Sequence, residues 1–183
     1  AAYWQTRLEP SSRNVANRVM VSYKNAALDP LADPARKTDQ FRYLGRPEQT
    51  LIGVQYTADG NFEVGQPYIV QNSSHWLWEK TGFTNGTVVP GLTGYEIDRS
   101  FSNYPAPVSR SYTLLARSPY VANGSVTFNN NDISESSIYQ APSRAWVFAT
   151  GTLNWSLGLD KPGMVSAGIQ QATKNLLDRF LVP

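Results

Sequence analysis

The sequence contains no cysteine and a single histidine, His75, among its 183 residues. The absence of cysteine excludes disulfide bonds, thiol nucleophiles and cysteine-ligated zinc. One histidine cannot build a metal centre of several imidazoles within this chain. The sequence also lacks a Gly-X-Ser-X-Gly nucleophile elbow and a glycine-rich phosphate-binding loop. The common signatures of serine hydrolases and nucleotide-binding enzymes are therefore missing.

Charge is also sparse, because only 16% of the residues are charged and the formal net charge is +2. The basic residues are dispersed among the acidic ones and form no run that could follow a phosphate backbone, so we predict no nucleic-acid partner. No apolar run approaches the about 18 residues needed to cross a bilayer, so we predict no membrane insertion. A polar surface built mainly from uncharged side chains is typical of secreted proteins. We therefore predict a secreted or extracytoplasmic protein, with a cytoplasmic location left open.

The length fits one domain, which we place over residues 1–183. No repeat or compositional shift marks a second domain. The chain begins at Ala1 without a methionine. We therefore expect it to be a cleaved or excised part of a larger protein.

Short apolar segments alternate with turns rich in glycine, proline and asparagine along most of the chain. Branched and aromatic side chains pack well on a pleated surface, so these segments are typical of β-strands. The segments predicted as strands are 19–24, 51–56, 68–70, 95–98, 111–116, 126–128, 137–140 and 145–150. Pro30 and Pro34 predict an irregular loop over 28–34. The turn over 141–144 predicts a hairpin between the last two strands.

The end of the chain carries the period of an amphipathic helix. Apolar or small residues recur at the spacing of one helical face, at Ile169, Ala172, Thr173, Leu176, Leu177, Phe180 and Leu181. Ser166 is suited to cap the start of this helix. We therefore predict a strand-rich fold closed by a C-terminal helix.

Glu96 and Asp98 stand two residues apart in the predicted strand 95–98. This spacing places both carboxylates on one face, about 7 Å apart. They can share a cation or perturb each other's proton affinity. The alternative is a pair of surface charges bridged by Arg99 or Arg110.

Two aromatic features leave alternatives open. His75 lies beside Ser74 and Trp76, so it is either a structural histidine, hydrogen-bonded beside the aromatic core, or a site residue. The five tryptophans form either a sugar-stacking platform or part of the core. They are Trp4, Trp76, Trp78, Trp146 and Trp155.

Residues 91–99 read Gly-Leu-Thr-Gly-Tyr-Glu-Ile-Asp-Arg. This segment resembles the Gly-Leu-Val-Gly-Tyr-Glu-Trp-Asp-Arg element of the N,N-dimethylformamidase large (beta) subunit-like family. Other similar segments follow in order, at residues 2–4, 20–24, 29–32, 46–49, 51–56, 146–156, 158–160 and 169–177. The chain is thus similar to the C-terminal domain of that family over nearly its whole length.

This resemblance implies an α/β fold, the C-terminal part of a glutamine-amidotransferase-like three-layer domain. In it, a mixed, strand-rich sheet is closed by the C-terminal helix. The first strands and helices of that domain lie upstream of the Tyr3-Trp4 element. The resemblance therefore implies a missing N-terminal half or a partner subunit.

The resemblance also implies a metal site. The founding amidase of the family holds one iron with two tyrosines and a glutamate, hard oxygen ligands suited to Fe(III). Tyr3 is similar to one of those tyrosines and Glu96 to the glutamate, while the second tyrosine lies upstream. His75 is expected to orient substrate or water. The implied reaction is iron-dependent hydrolysis of a small amide when the site is complete.

The sequence therefore supports two alternative functions. The first is the amide hydrolase just described, with Glu96 and His75 as catalytic residues and Tyr3 and Glu96 as metal ligands. The second is a non-catalytic secreted domain that binds a glycan or a cell surface through its asparagine-rich surface and aromatic residues. Tyr3, Glu96 and His75 in one cleft favour the hydrolase, and solvent-facing tryptophans in a row favour the binding domain.

Overall fold

The computed structural model describes residues 4–9, 18–59, 65–121 and 132–181. The chain divides into two compact units, Ala1–Pro47 and Glu48–Pro183. The predicted strand 126–128 and Tyr3 lie outside the described residues.

The first unit contains one hairpin and several short turns. Strands β1 (Trp4–Glu9) and β2 (Arg18–Tyr23) pair antiparallel, and β2 confirms the strand predicted over 19–24. Short 3₁₀ turns follow at Ala26–Leu28, Pro34–Arg36 and Phe41–Leu44, as expected of the proline-containing loop. The buried carboxylate of Asp29 organises this loop, since it accepts bonds from the Thr38 amide at 2.8 Å and the Leu31 amide at 3.0 Å. These bonds lower the pKa of Asp29.

The second unit begins with a single helical turn, α1 (Gln49–Ile52), followed by strand β3 (Gln55–Asp59). The prediction of one strand over 51–56 is therefore wrong in its first half. Gly53 ends α1 in the left-handed conformation, with φ of 89°, and its amide donates to the Gln49 carbonyl at 2.9 Å. An apolar run that changes from helix to strand at a glycine cannot be divided by composition alone.

The remaining strands form small antiparallel sheets. Their bounds are β4 (Gln66–Ile69), β5 (Val88–Thr93), β6 (Glu96–Arg99), β7 (Ser111–Tyr120), β8 (Asp132–Gln140) and β9 (Trp146–Ala149). Strand β3 pairs with β6, β4 pairs with β5, and β7, β8 and β9 form a three-stranded sheet. The predicted hairpin between β8 and β9 is confirmed.

Two helices complete the second unit, α2 (Leu157–Asp160) and α3 (Ala167–Phe180). The predicted cap of α3 is confirmed, because the Ser166 hydroxyl accepts from the Ile169 amide at 3.4 Å. Ile169 and Ala172 are fully buried, and Leu176 packs against the same core. The buried apolar face of α3 ends at Leu176, since Phe180 is 48% exposed.

The main core lies between α3, the 3₁₀ turn Trp76–Trp78 and strands of two sheets, β4–β5 and β7–β8–β9. Its buried members are Tyr68, Val70, Leu77, Trp78, Val89, Leu92, Leu115, Ala116, Ile138, Trp155, Ile169 and Ala172. Asn175 ties α3 to the 3₁₀ turn, because its amide nitrogen donates to the Leu77 carbonyl at 2.9 Å. A smaller cluster of Ala58, Ile97 and Tyr120 lies beneath the β3–β6 pair.

The described residues therefore form a mixed α/β protein with small antiparallel sheets and a few helices. The glutamine-amidotransferase-like three-layer arrangement remains a prediction. None of the described helices combines the length and the apolar character needed to span a bilayer.

Candidate functional site

The antiparallel pair of β3 and β6 carries the predicted carboxylate Glu96. Asp59 is the cross-strand partner of Glu96, and Tyr56 is the partner of Asp98. Cross-strand partners point to the same face, as do residues two apart on one strand. Tyr56, Asp59, Glu96 and Asp98 therefore share one face, which we call the oxygen-rich face. The predicted common face of Glu96 and Asp98 agrees with this register.

A β-bulge in β3 creates this arrangement. The pairing register shifts between Tyr56 and Ala58, so Thr57 is an extra residue on β3. In a regular strand of the same sequence, Tyr56 and Asp59 would point to opposite faces, because they are three residues apart. The opposite face is buried, with Ala58 at 4% and Ile97 at 0% exposure.

The carboxylates of the oxygen-rich face affect the ionisation of its tyrosine. Burial raises the pKa of Tyr56 to about 12, and the nearby carboxylates of Asp59 and Glu96, together with a hydrogen bond to Asp59, contribute to the shift. The phenol of Tyr56 is therefore protonated at neutral pH. Glu96 itself is exposed. A cation on this face would relieve the repulsion between the carboxylates.

The arginines considered as partners of the carboxylate pair make other contacts. Arg99 forms an ion pair with Asp132, with Nε to Oδ2 at 3.4 Å. Arg110 donates from Nε to the Pro142 carbonyl at 3.2 Å. Arg99 also leaves β6 on the face opposite to Glu96 and Asp98. The interpretation as a pair of surface charges stays open.

Buried polar side chains hold the turn before Glu96 in place. The Thr152 hydroxyl accepts from the Gly94 amide at 2.9 Å and donates to the Leu92 carbonyl at 3.0 Å. The Asn154 side-chain oxygen accepts from the Tyr95 amide at 3.3 Å. Thr152 and Asn154 are buried, so the position of Glu96 is set by rigid neighbours.

His75 lies in a different environment. Its Nδ1 accepts from the Leu77 amide at 3.2 Å, which caps the 3₁₀ turn Trp76–Trp78. Its ring contacts those of Trp76 and Trp146, with centroids 4.9 and 6.5 Å away. Burial and the nearby Arg179 lower the pKa of His75, which favours the neutral ring. No described contact joins His75 to Glu96, and its described contacts are those of a structural histidine.

The described tryptophans do not form a solvent-facing row. Core packing is confirmed for Trp78 and Trp155, which are 2% and 7% exposed. Trp76 and Trp146 are partly buried, with their rings 5.3 Å apart and the Arg179 guanidinium 5.5 Å from each ring. The side chain of Trp4 lies outside the description.

The predicted iron ligands are Tyr3 and Glu96. Tyr3 lies outside the described residues, so its relation to Glu96 is not described. Within the described part of the chain, no group of three or more His, Asp or Glu side chains is arranged to hold a metal. The oxygen-rich face nevertheless combines carboxylates with a phenol, which is the donor chemistry of a hard cation. Glu96 has the donor chemistry that the predicted role requires, and its role as an iron ligand stays a prediction.

Tyr56 and Asp59 are the residues that sequence reasoning missed. Their place beside Glu96 depends on pairing with a distant strand and on the bulge. The Asp59-Gly60 step marks a turn in the sequence but does not reveal which strand pairs with β3. Tyr56 and Asp59 are brought beside Asp98 and Glu96 only by the pairing register of β3 with β6.

Fold and site together define a mixed α/β protein with a carboxylate- and phenol-bearing strand pair. No curated protein matches the chain significantly. A family model described as "N,N-dimethylformamidase beta subunit-like, C-terminal" matches residues 1–171. The chain therefore belongs to this family, and the predicted membership is confirmed.

Proposed function

We propose that this chain is the part of an N,N-dimethylformamidase-like protein that contributes Glu96 to an iron-dependent site for the hydrolysis of small amides. The observation that carries the proposal is the oxygen-rich face, on which exposed Glu96 lies beside Tyr56 and Asp59. Family membership supports the same class of reaction. Because a fold hosts many functions, the site rather than the family alone must carry the argument.

The proposal requires ligands beyond the described residues. Glu96 would supply one anionic oxygen and Tyr3 a phenolate, and the remaining ligand would come from the rest of the family domain or from a partner subunit. Iron bound there would act as a Lewis acid that polarises the amide carbonyl and acidifies a water molecule. An incomplete ligand set predicts weak binding by this chain alone.

The chain's own residues have separate roles in this proposal. The Glu96 carboxylate binds the cation, since it is exposed and faces no described arginine. The Tyr56 phenol keeps its proton at neutral pH and donates to Asp59, which holds that carboxylate in a fixed orientation. Asp98, on the same face, would accept a proton from an attacking water. His75 stays a predicted catalytic residue.

Iron content tests the proposal directly. Purified chain is reconstituted with iron, passed through gel filtration and measured by plasma mass spectrometry and visible absorption. We expect weak iron binding that is lost in Glu96→Ala, accompanied by loss of any tyrosinate charge-transfer band. Glu79→Ala is the matched control, because Glu79 is another exposed glutamate and lies at the end of the 3₁₀ turn Trp76–Trp78 rather than in β6.

Two outcomes would contradict the proposal. Iron uptake that is equal in Glu96→Ala and in the parent chain would exclude Glu96 as a ligand. No uptake by any variant after reconstitution would mean that the chain has no iron site. In either case hydrolysis of amides would have to reside elsewhere in the protein.

A further inference from the structure

A cleft lies on the other side of β6 from Glu96. It has a volume of about 470 Å³, and its lining includes Arg99, Phe101, Tyr104, Arg117 and Glu135. Arg99 is three residues from Glu96 on the same strand, so the two side chains leave opposite faces. The cleft is therefore separate from the oxygen-rich face. Its volume lies within the range of small-molecule sites.

A buried carboxylate forms one wall of the cleft. Glu135 is 4% exposed. Its Oε2 accepts from the Ser100 amide at 3.0 Å and from the Ser100 hydroxyl, and its Oε1 accepts from Arg117 Nε at 3.3 Å. Three donors thus already satisfy the acidic group, which leaves it little capacity to accept from a ligand.

Another part of the lining is a loop held by one buried amide. Gln49 is 3% exposed. Its Nε2 donates to the Phe101 and Tyr104 carbonyls, each at 3.1 Å, and its Oε1 accepts from the Phe101 amide at 2.6 Å. The rings of Phe101 and Tyr104 are fixed edge to face, with centroids 6.4 Å apart. The cleft is therefore preformed, which limits the entropy lost when a ligand binds.

Two guanidinium groups give the cleft its donors. The guanidinium carbon of Arg99 lies 4.1 Å from the centroid of the Phe101 ring, and its Nε pairs with Asp132 at 3.4 Å. Arg117 uses its Nε for Glu135, and its side chain is 58% exposed. The terminal nitrogens of both arginines make no hydrogen bond to any described residue. The cleft thus offers a fork of cationic donors beside an aromatic wall.

We propose that this cleft binds a small aromatic carboxylate, with the carboxylate on the terminal nitrogens of Arg117 and Arg99 and the ring against Phe101 and Tyr104. Guanidinium groups match the geometry of carboxylates. Asp132 and Glu135 each engage the Nε of one arginine, so recognition depends on the outward terminal nitrogens of the two guanidinium groups rather than on an excess of positive charge. The site is independent of Glu96 and of iron.

Calorimetric titration with benzoate tests the site, and benzamide is the neutral comparison. We expect saturable benzoate binding and at least about tenfold weaker binding of benzamide, because the charged hydrogen bonds are lost. Arg117→Gln should weaken benzoate binding by about tenfold or more. Arg144→Gln should leave it unchanged, because Arg144 is an exposed arginine outside the cleft.

A second variant separates binding from folding. Ser102 lines the cleft, is exposed and makes no described hydrogen bond. Ser102→Asp should weaken benzoate binding by charge repulsion, whereas the neutral Ser102→Asn should not. The proposal is overturned if benzoate does not saturate by about 10 mM, a weak affinity for any specific site. It is also overturned if benzamide binds as tightly as benzoate, or if Arg117→Gln and Ser102→Asp both bind benzoate like the parent chain.

Discussion

Tyr56 is the residue of the oxygen-rich face whose pKa is raised by burial and by neighbouring carboxylates. Its phenol lies beside the carboxylates of Asp59 and Glu96, and ionisation would add a further negative charge to a half-buried surface. The folded chain therefore keeps the phenolic proton at pH values where the unfolded chain has lost it. The same coupling means that a cation bound to this face would lower the pKa of Tyr56.

We expect the Tyr56 phenol to titrate near pH 12, above its ordinary value of 10.0. The free energy of unfolding should therefore fall as the pH rises from 10.0 towards 12, since only the unfolded state ionises in that window. Asp59→Asn removes one neighbouring charge and should move the pKa of Tyr56 down. NMR titration of ring-labelled tyrosine measures the pKa of Tyr56 in the parent chain and in the variant, and urea denaturation at pH 10 and above measures the free energy of unfolding.

Asp160→Asn is the matched control for this titration, because Asp160 lies in α2 and is not among the groups that shift Tyr56. A pKa of Tyr56 that is unchanged by Asp59→Asn would contradict the coupling. A pKa that falls equally in both variants would show a general effect of net charge.

At the scale of elements, Gly151 joins β6 to β8. Its carbonyl accepts from the Asp98 amide at 2.9 Å and from the Ser134 hydroxyl at 3.1 Å. Its φ is 67°, and a Cβ there would lie 2.0 Å from the Glu135 carbonyl oxygen. The two strands can approach this closely only because the residue has no side chain.

Gly151→Ala should therefore be strongly destabilising. Gly163 is the matched control, because its φ is 82° and a Cβ there meets nothing within 4 Å. We expect Gly163→Ala to cost about 1–2 kcal/mol for the left-handed backbone. Gly151→Ala should cost at least about 2 kcal/mol more, because backbone atoms cannot move aside as a side chain can. Urea denaturation measures both, and equal losses would exclude the steric argument.

The elements that the sequence predicted well are those with local causes. Helix α3 follows from its apolar period and its serine cap, and the β8–β9 hairpin follows from two apolar runs around a turn. Glu96 was identified through the segment in which it lies. The run 51–56 was misassigned because Gly53 ends a helical turn within it. Tyr56 was missed because its position depends on pairing with a strand far along the chain.

At the scale of the whole molecule, the described hydrophobic core belongs to the second unit. All described buried hydrophobic side chains fall within Glu48–Pro183, including both clusters. In the first unit, the described contacts are the pairing of a hairpin and loop hydrogen bonds such as those of Asp29. We therefore expect the second unit to supply most of the free energy of unfolding that comes from apolar burial.

A fragment of residues 48–183 should fold by itself. We expect it to unfold cooperatively, with a midpoint within about 4 °C of that of the full chain, a shift that corresponds to about 1 kcal/mol or a little more. Thermal unfolding followed by near-ultraviolet circular dichroism measures this. A fragment 1–47 is the comparison and should show no cooperative transition. Loss of the aromatic signal in 48–183 would contradict the assignment of the core.

The bulge at Thr57 makes the oxygen-rich face a matter of residue count as well as residue type. At their present spacing Tyr56 and Asp59 share a face only because of the bulge, whereas deletion of Thr57 would give a regular strand on which both residues still lie on that face. Strands that differ by one residue in length can therefore carry the same face. When family members are compared, an alignment gap at Thr57 is thus no evidence that the face has been lost.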